Sequence, residues 1–211
     1  MHHVMLDIDG TLIQSYEFDE KCFIDAVKET TGIDIESDWE NYPNVTDRGI
    51  LETFISRQAP QYSLEALEGI VKPIFIRNIQ QSIEDKPALE VDGAKAFVSY
   101  LLKNEQYVVS VATGGWGETA KLKLLSAGFE TEGLVLASSN DHYARIEIMK
   151  SARMRADPTN RFPITYFGDA EWDVRACEQL GVNLVLVGER GNHHQRIKNF
   201  TSLDDALRYV K

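Results

Sequence analysis

The run Val4-Met5-Leu6-Asp7-Ile8-Asp9-Gly10-Thr11 constrains this chain more than any other stretch. Its apolar, β-prone start predicts a short buried strand, and its end in two carboxylates, a glycine and a hydroxyl predicts an abrupt turn. Residues two apart on a strand share a side, so Asp7 and Asp9 are expected close together at the strand's carboxyl end. Two carboxylates there are costly to desolvate and repel each other. A cation between them resolves both problems, whereas an ordinary polar turn would need no such pairing.

The rest of the chain alternates. From about Phe18 to Glu84 the apolar residues recur at helical spacing, with Gly32 a stop for the first helix and further helices over Val45 to Arg57 and Leu64 to Ile83. After Pro87 and Asp92-Gly93, helices alternate with strands at Tyr107 to Ala112, Leu134 to Ala137, Ile164 to Phe167 and Asn183 to Val187. Strands that are apolar throughout and separated by helices predict a parallel sheet covered on both faces. About seventy residues separate the first strand from the second, far more than a crossover needs, so they read as an inserted helical cap. In open α/β sheets, sites form beyond the carboxyl ends of the strands.

Polar residues stand at those ends. Thr113-Gly114-Gly115 offers a hydroxyl and unobstructed main-chain N–H groups to an anion, although the same residues also make a plain turn. The strand over Ile164 to Phe167 runs into Gly168-Asp169-Ala170-Glu171-Trp172-Asp173, which places Asp169 opposite Asp7 and Asp173 one helical turn later. That acidic set suits a hard cation such as Mg²⁺, which prefers oxygen ligands.

Leu6-Asp7-Ile8-Asp9-Gly10-Thr11-Leu12 resembles the first signature motif of the haloacid dehalogenase-like (HAD) superfamily, in its phosphatase branch with a helical cap, which includes phosphoglycolate phosphatase and β-phosphoglucomutase. Thr113 matches the second motif, and Gly168-Asp169 with Asp173 the fourth. The third, a Lys or Arg near a helix start, is met by Arg145 or by Lys150, without the commoner Lys-Pro form. The resemblance implies a Rossmann-like α/β core over 1–14 and 87–211 with a helical cap over 15–86. It further implies a Mg²⁺-dependent phosphohydrolase working through an aspartyl-phosphate on a small phosphorylated metabolite. Asp7 would be the nucleophile and Asp9 the general acid and base. Asp7, the Asp9 main-chain carbonyl and Asp169 would hold the metal, with Asp173 orienting a metal-bound water. Thr113, Gly114 and Arg145 or Lys150 would hold the phosphoryl group. Asp9 favours phosphate esters over the dehalogenase and phosphonate-cleaving chemistries, whose members lack that residue. A phosphomutase, a catalytically silent binding module and, more remotely, a phospho-accepting receiver are the alternatives. In the cap, Arg48 within Asn44-Val45-Thr46-Asp47-Arg48 is available to an anionic substrate group, though Thr46 or Asp47 there also suits a helix cap.

Composition closes other routes. A formal net charge of -11 without a lysine-arginine run argues against nucleic acid and anionic membranes as partners. No apolar run approaches the roughly 20 residues of a membrane span. Cys22 and Cys177 follow no metal or redox spacing, and no signal-peptide pattern precedes the first strand, so free thiols and a cytoplasmic setting are expected. Among the histidines, His2-His3 reads as a frayed terminus, His142 as solvent-facing, and His193-His194 as a pair past the last core strand with no partner carboxylate at ligand spacing.

Overall fold

The computed structural model describes residues 1–210. Six parallel strands form one sheet in the order β3-β2-β1-β4-β5-β6: β1 (His2–Leu6), β2 (Tyr107–Ala112), β3 (Val135–Ala137), β4 (Ile164–Gly168), β5 (Asn183–Val187) and β6 (Arg196–Ile197). β1 lies between β2 and β4, with Leu6 in register with Val111 on one side and Phe167 on the other. The strand order reverses direction at β1 and β4, so the crevice beyond their carboxyl ends is the topological switch point where such sheets bind ligands. β6 was not expected. It is two residues long and contains Arg196, so it carries no apolar run to betray it.

Four α-helices lie between β1 and β2, and the first three form the insert: α1 (Tyr16–Thr31), α2 (Asp47–Gln58) and α3 (Leu64–Asp85). α1 stops where expected, at Gly32, whose φ of 73° is a left-handed conformation that closes the helix. Thr46 caps α2 by accepting the Gly49 N–H at 3.0 Å. Pro73 lies inside α3 without ending it. The remaining helices are α4 (Ala94–Lys103), α5 (Gly117–Ser126), α6 (Arg145–Ala156), α7 (Glu171–Leu180) and α8 (Leu203–Leu207).

Apolar residues collect in three places. Phe97, Leu101 and Leu124 cover one face of the sheet, Ile148, Met149 and Val174 the other, and the inserted helices bury Phe23, Phe54, Phe75 and Ile79 among themselves. Trp116, at the start of α5, is fully buried in the third cluster, 5.8 Å from Phe75 between ring centres. The insert is therefore anchored to the α/β core by an aromatic side chain that stands between β2 and α5.

The terminus is not frayed. His2 and His3 are residues of β1, bonded through Nε2 to Thr165 Oγ1 at 2.9 Å and to Ser110 Oγ at 2.7 Å. Burial drives His3 down to about 4. Cys22 and Cys177 are free and buried. No helix among the described residues is long and apolar enough to cross a membrane.

Candidate active site

β1 ends at Leu6, so Asp7 and Asp9 lie in the turn that follows rather than on the strand. Both line one cavity, and their side chains take different partners. Asp7 is buried, with Oδ2 3.6 Å from Arg145. Asp9 accepts hydrogen bonds from Ser15 and, at 2.5 Å, from Lys123 Nζ. Gly10, at φ 77°, makes this turn possible, because a Cβ there would overlap Tyr16 and Asp169.

The acidic group that does converge is Asp7, Asp169 and Asp173, all buried, with one carboxylate oxygen of each within 4.8 Å of the others. Asp173 is already occupied. Its Oδ2 accepts the main-chain N–H groups of Asp169 and Ala170 at 3.1 and 3.2 Å, and its Oδ1 accepts from Arg145 at 3.0 Å and Tyr166 at 3.1 Å. Asp7 Oδ1 and Asp169 Oδ1 are buried with no partner among the described residues. Burial raises Asp7 well above the usual carboxylate range, with Asp173, Asp169 and Asp9 adding to the rise and Arg145 opposing it. Asp169 is pushed up to about 7, by burial first and Asp173 second. Two unsatisfied anionic oxygens at this spacing are what a hard divalent cation would relieve, so the residues present fit one.

Around this floor, Thr113 is buried and its Oγ1 accepts the Gly115 N–H at 3.2 Å. Gly114 packs so closely that a Cβ would fall 2.7 Å from Arg145 Nη2 and 2.8 Å from the Val45 carbonyl, leaving no room for any other residue. Of the two candidate cations, only Arg145 is here. Lys150 sits on the exposed side of α6 and pairs with Glu147 at 2.7 Å, because the first residue of the helix faces the strand ends while a residue five positions on points away. Arg48 is likewise elsewhere, 3.0 Å from Glu68 and away from the cavity wall.

A cavity of about 90 Å³ opens over Asp7, Asp9, Thr113, Gly114 and Arg145, and the insert closes it with side chains that include Asp19, Glu20 and Asp47. Lys123 is the functional candidate that motif reasoning missed. It is fully buried and lies 2.5 Å from both Asp9 and Asp19, joining α5 to the post-β1 turn and to α1. Burial opposes its charge, yet the two carboxylates outweigh that cost and raise its pKa. The only sequence signal was a lysine on the otherwise apolar face of α5 that also carries Ala120 and Leu124.

The haloacid dehalogenase-like hydrolase family model matches residues 4–187. No curated protein matches the sequence. Among solved structures, a hydrolase from Pseudomonas syringae aligns with a TM-score of 0.75 at 17% identity, covering 100% of this chain and 99% of the other. CbbY from Rhodobacter sphaeroides in complex with phosphate gives 0.73 at 14% identity, with 96% of each chain covered. β-Phosphoglucomutase from Clostridium difficile gives 0.73 at 12% identity, with 100% and 97% covered.

Proposed function

The chain belongs to the haloacid dehalogenase-like hydrolase family, and from that premise we propose that it is a Mg²⁺-dependent phosphohydrolase that acts on a small phosphorylated metabolite through an aspartyl-phosphate. The observation that carries this reading is Asp7: a buried carboxylate with one oxygen unpartnered in the acidic cluster and the other 3.6 Å from Arg145, at the floor of a cavity.

When bound, Mg²⁺ supplies charge neutralisation at the nucleophile and at the phosphoryl oxygens. Asp7 and Asp169 would hold it through their free oxygens, with the Asp9 main-chain carbonyl completing the set. Asp173 braces the site by fixing Arg145 and the Asp169 main chain. Asp7 attacks phosphorus, and the bond to the leaving oxygen breaks as Asp9 gives that oxygen a proton. Asp9 then takes a proton from the water that attacks phosphorus, freeing Asp7 and inorganic phosphate. Ser15 and Lys123 hold Asp9 for both steps. Thr113, the Gly114 N–H and Arg145 receive the phosphoryl oxygens where negative charge must be stabilised. Residues 15–86 act as a cap that excludes water over a core of 1–14 and 87–211.

The test is phosphate release from a panel of small phosphoesters with Mg²⁺ and with EDTA, for the wild type beside Asp7→Asn. Turnover that needs the metal and falls on the order of 10⁴-fold or more in Asp7→Asn is expected. No release from any ester by folded, Mg²⁺-loaded protein overturns the reading.

A further inference from the structure

The start of the insert reaches the acidic floor through one side chain. Tyr16 is the first residue of α1, and its hydroxyl lies 2.6 Å from Asp169 Oδ2. Resting on the metal site of the phosphohydrolase reading above, we propose that Tyr16 is a positioning residue for Asp169. By holding Oδ2 it leaves Oδ1, the unpartnered oxygen, for a divalent cation shared with Asp7, and so ties the grip of the site on that cation to the place of the insert.

The core holds the Tyr16 ring at two points. A Cβ on Gly10 would fall 2.1 Å from Tyr16 Cε2, so only glycine in the turn after β1 admits the ring at this place. Arg190, in the segment after β5, has its guanidinium carbon 3.7 Å from the ring centre, close enough for a cation–π attraction, and 5.6 Å from that of Trp172. The preceding residue acts alongside: Ser15 donates to Asp9. Two consecutive side chains at the start of the insert are thus bonded to the turn after β1 and to the residue that follows β4.

A phenol donates to a carboxylate, and a single donor decides which oxygen is left over. Among the described residues, the Tyr16 hydroxyl is the one hydrogen-bond donor to the Asp169 carboxylate. With phenylalanine at 16 both oxygens lack a donor, and only packing sets the rotation of the carboxylate. Asp169, Gly10, Tyr16 and Arg190 also line a neighbouring cavity of about 490 Å³, so water has room to take the place of the hydroxyl. Water there is not anchored to the chain and does not fix one orientation. Groups that orient a metal-binding side chain from behind typically change metal affinity about 10–100-fold when removed.

The test measures the Mg²⁺ Kd of the full chain by titration calorimetry, and the Mg²⁺ half-saturation of p-nitrophenyl phosphate hydrolysis, for the wild type, Tyr16→Phe and Tyr42→Phe. Tyr42 is a control: it lies in the insert outside the cavity lining and gives its hydroxyl to the Glu36 carbonyl at 2.7 Å. Tyr16→Phe is expected to raise both constants about tenfold, with excess Mg²⁺ returning kcat to within roughly threefold of the wild type. Unchanged constants overturn the proposal. An equal rise in Tyr42→Phe overturns it too, because the effect would then be one of insert stability. A kcat that stays on the order of 100-fold low in saturating Mg²⁺ overturns the positioning role and places the hydroxyl on the substrate. A tenfold rise in Kd with no hydrolysis by any of the three proteins supports the hold on Asp169 while overturning the phosphohydrolase reading. A wild type that binds no Mg²⁺ overturns the metal site and this proposal together.

Discussion

The floor and the insert wall of the cavity are both acidic but are completed differently. On the floor, Asp173 has two main-chain N–H groups, Tyr166 and Arg145, and Arg145 also faces Asp7. On the wall, Glu20 has no ion pair among the described residues, and Asp47 has one N–H donor. Under the phosphohydrolase proposal, a floor answered by a guanidinium and by main-chain dipoles receives the phosphoryl group and the metal, which are the same for every phosphoester. A wall with unanswered carboxylates leaves its selectivity to whatever the substrate brings.

Lys123 is where the contrast between floor and wall breaks most severely, because among the described residues it is the one ammonium that touches both sides. Lys123→Met leaves Asp9 and Asp19 partly or fully buried without their counter-charge, so a loss of about 3–5 kcal/mol in denaturant unfolding is expected. Asp19→Asn is expected to cost less, since Asp9 keeps its partner.

The pH dependence of stability separates the fold from the site. His3, at the start of β1 and far along the strand from the cavity, is held at about 4 by burial, below its ordinary 6.5. A depressed histidine contributes stability that is present above 6.5 and lost as pH falls toward 4, an effect of about 3 kcal/mol that His3→Gln is expected to remove. The floor runs the other way. Asp169 is raised to about 7 from 3.8, so its contribution is present below 3.8 and is lost as pH rises through 7. In EDTA the Asp169→Asn protein should therefore lose less Tm than the wild type between pH 6 and pH 8. Mg²⁺ should raise the wild-type Tm more at pH 8, where the carboxylates it binds are ionised.

The smallest effect is expected at Arg48. Its pairing with Glu68 lies away from the cavity, so Arg48→Ala should change stability by about 1 kcal/mol or less and leave kcat/KM within roughly twofold. A large rise in KM would instead bring Arg48 to the substrate and give the wall a basic residue alongside its carboxylates.

Much of the architecture was legible because its signals are local. Four of the five expected strands begin or end within a residue of the observed ones, since a buried parallel strand must be apolar along its whole length. Gly32 marked a helix end for a conformational reason that acts at one residue. β6 escaped because two residues hold no periodicity, and His2 and His3 were misjudged because their burial depends on Thr165 and Ser110, from strands far along the chain. Within the site, Asp7, Asp9, Thr113, Gly114, Asp169 and Asp173 were visible as polar breaks at the ends of apolar runs. Their partners were not. Asp9 takes Lys123 from 114 residues away, a partner that no local pattern marks.

The amino-acid order alone determined the alternating α/β plan, the length of the helical insert and the placing of carboxylates, hydroxyl and glycines at strand ends. These follow from side-chain periodicity and backbone preference, which operate over a few residues. Only the tertiary structure decided which charge answers which: that Arg145 rather than Lys150 reaches Asp7, that Lys123 joins Asp9 to Asp19, and that Arg48 turns to Glu68. Such pairings depend on distance and burial between elements remote in sequence, and neither quantity exists until those elements have packed.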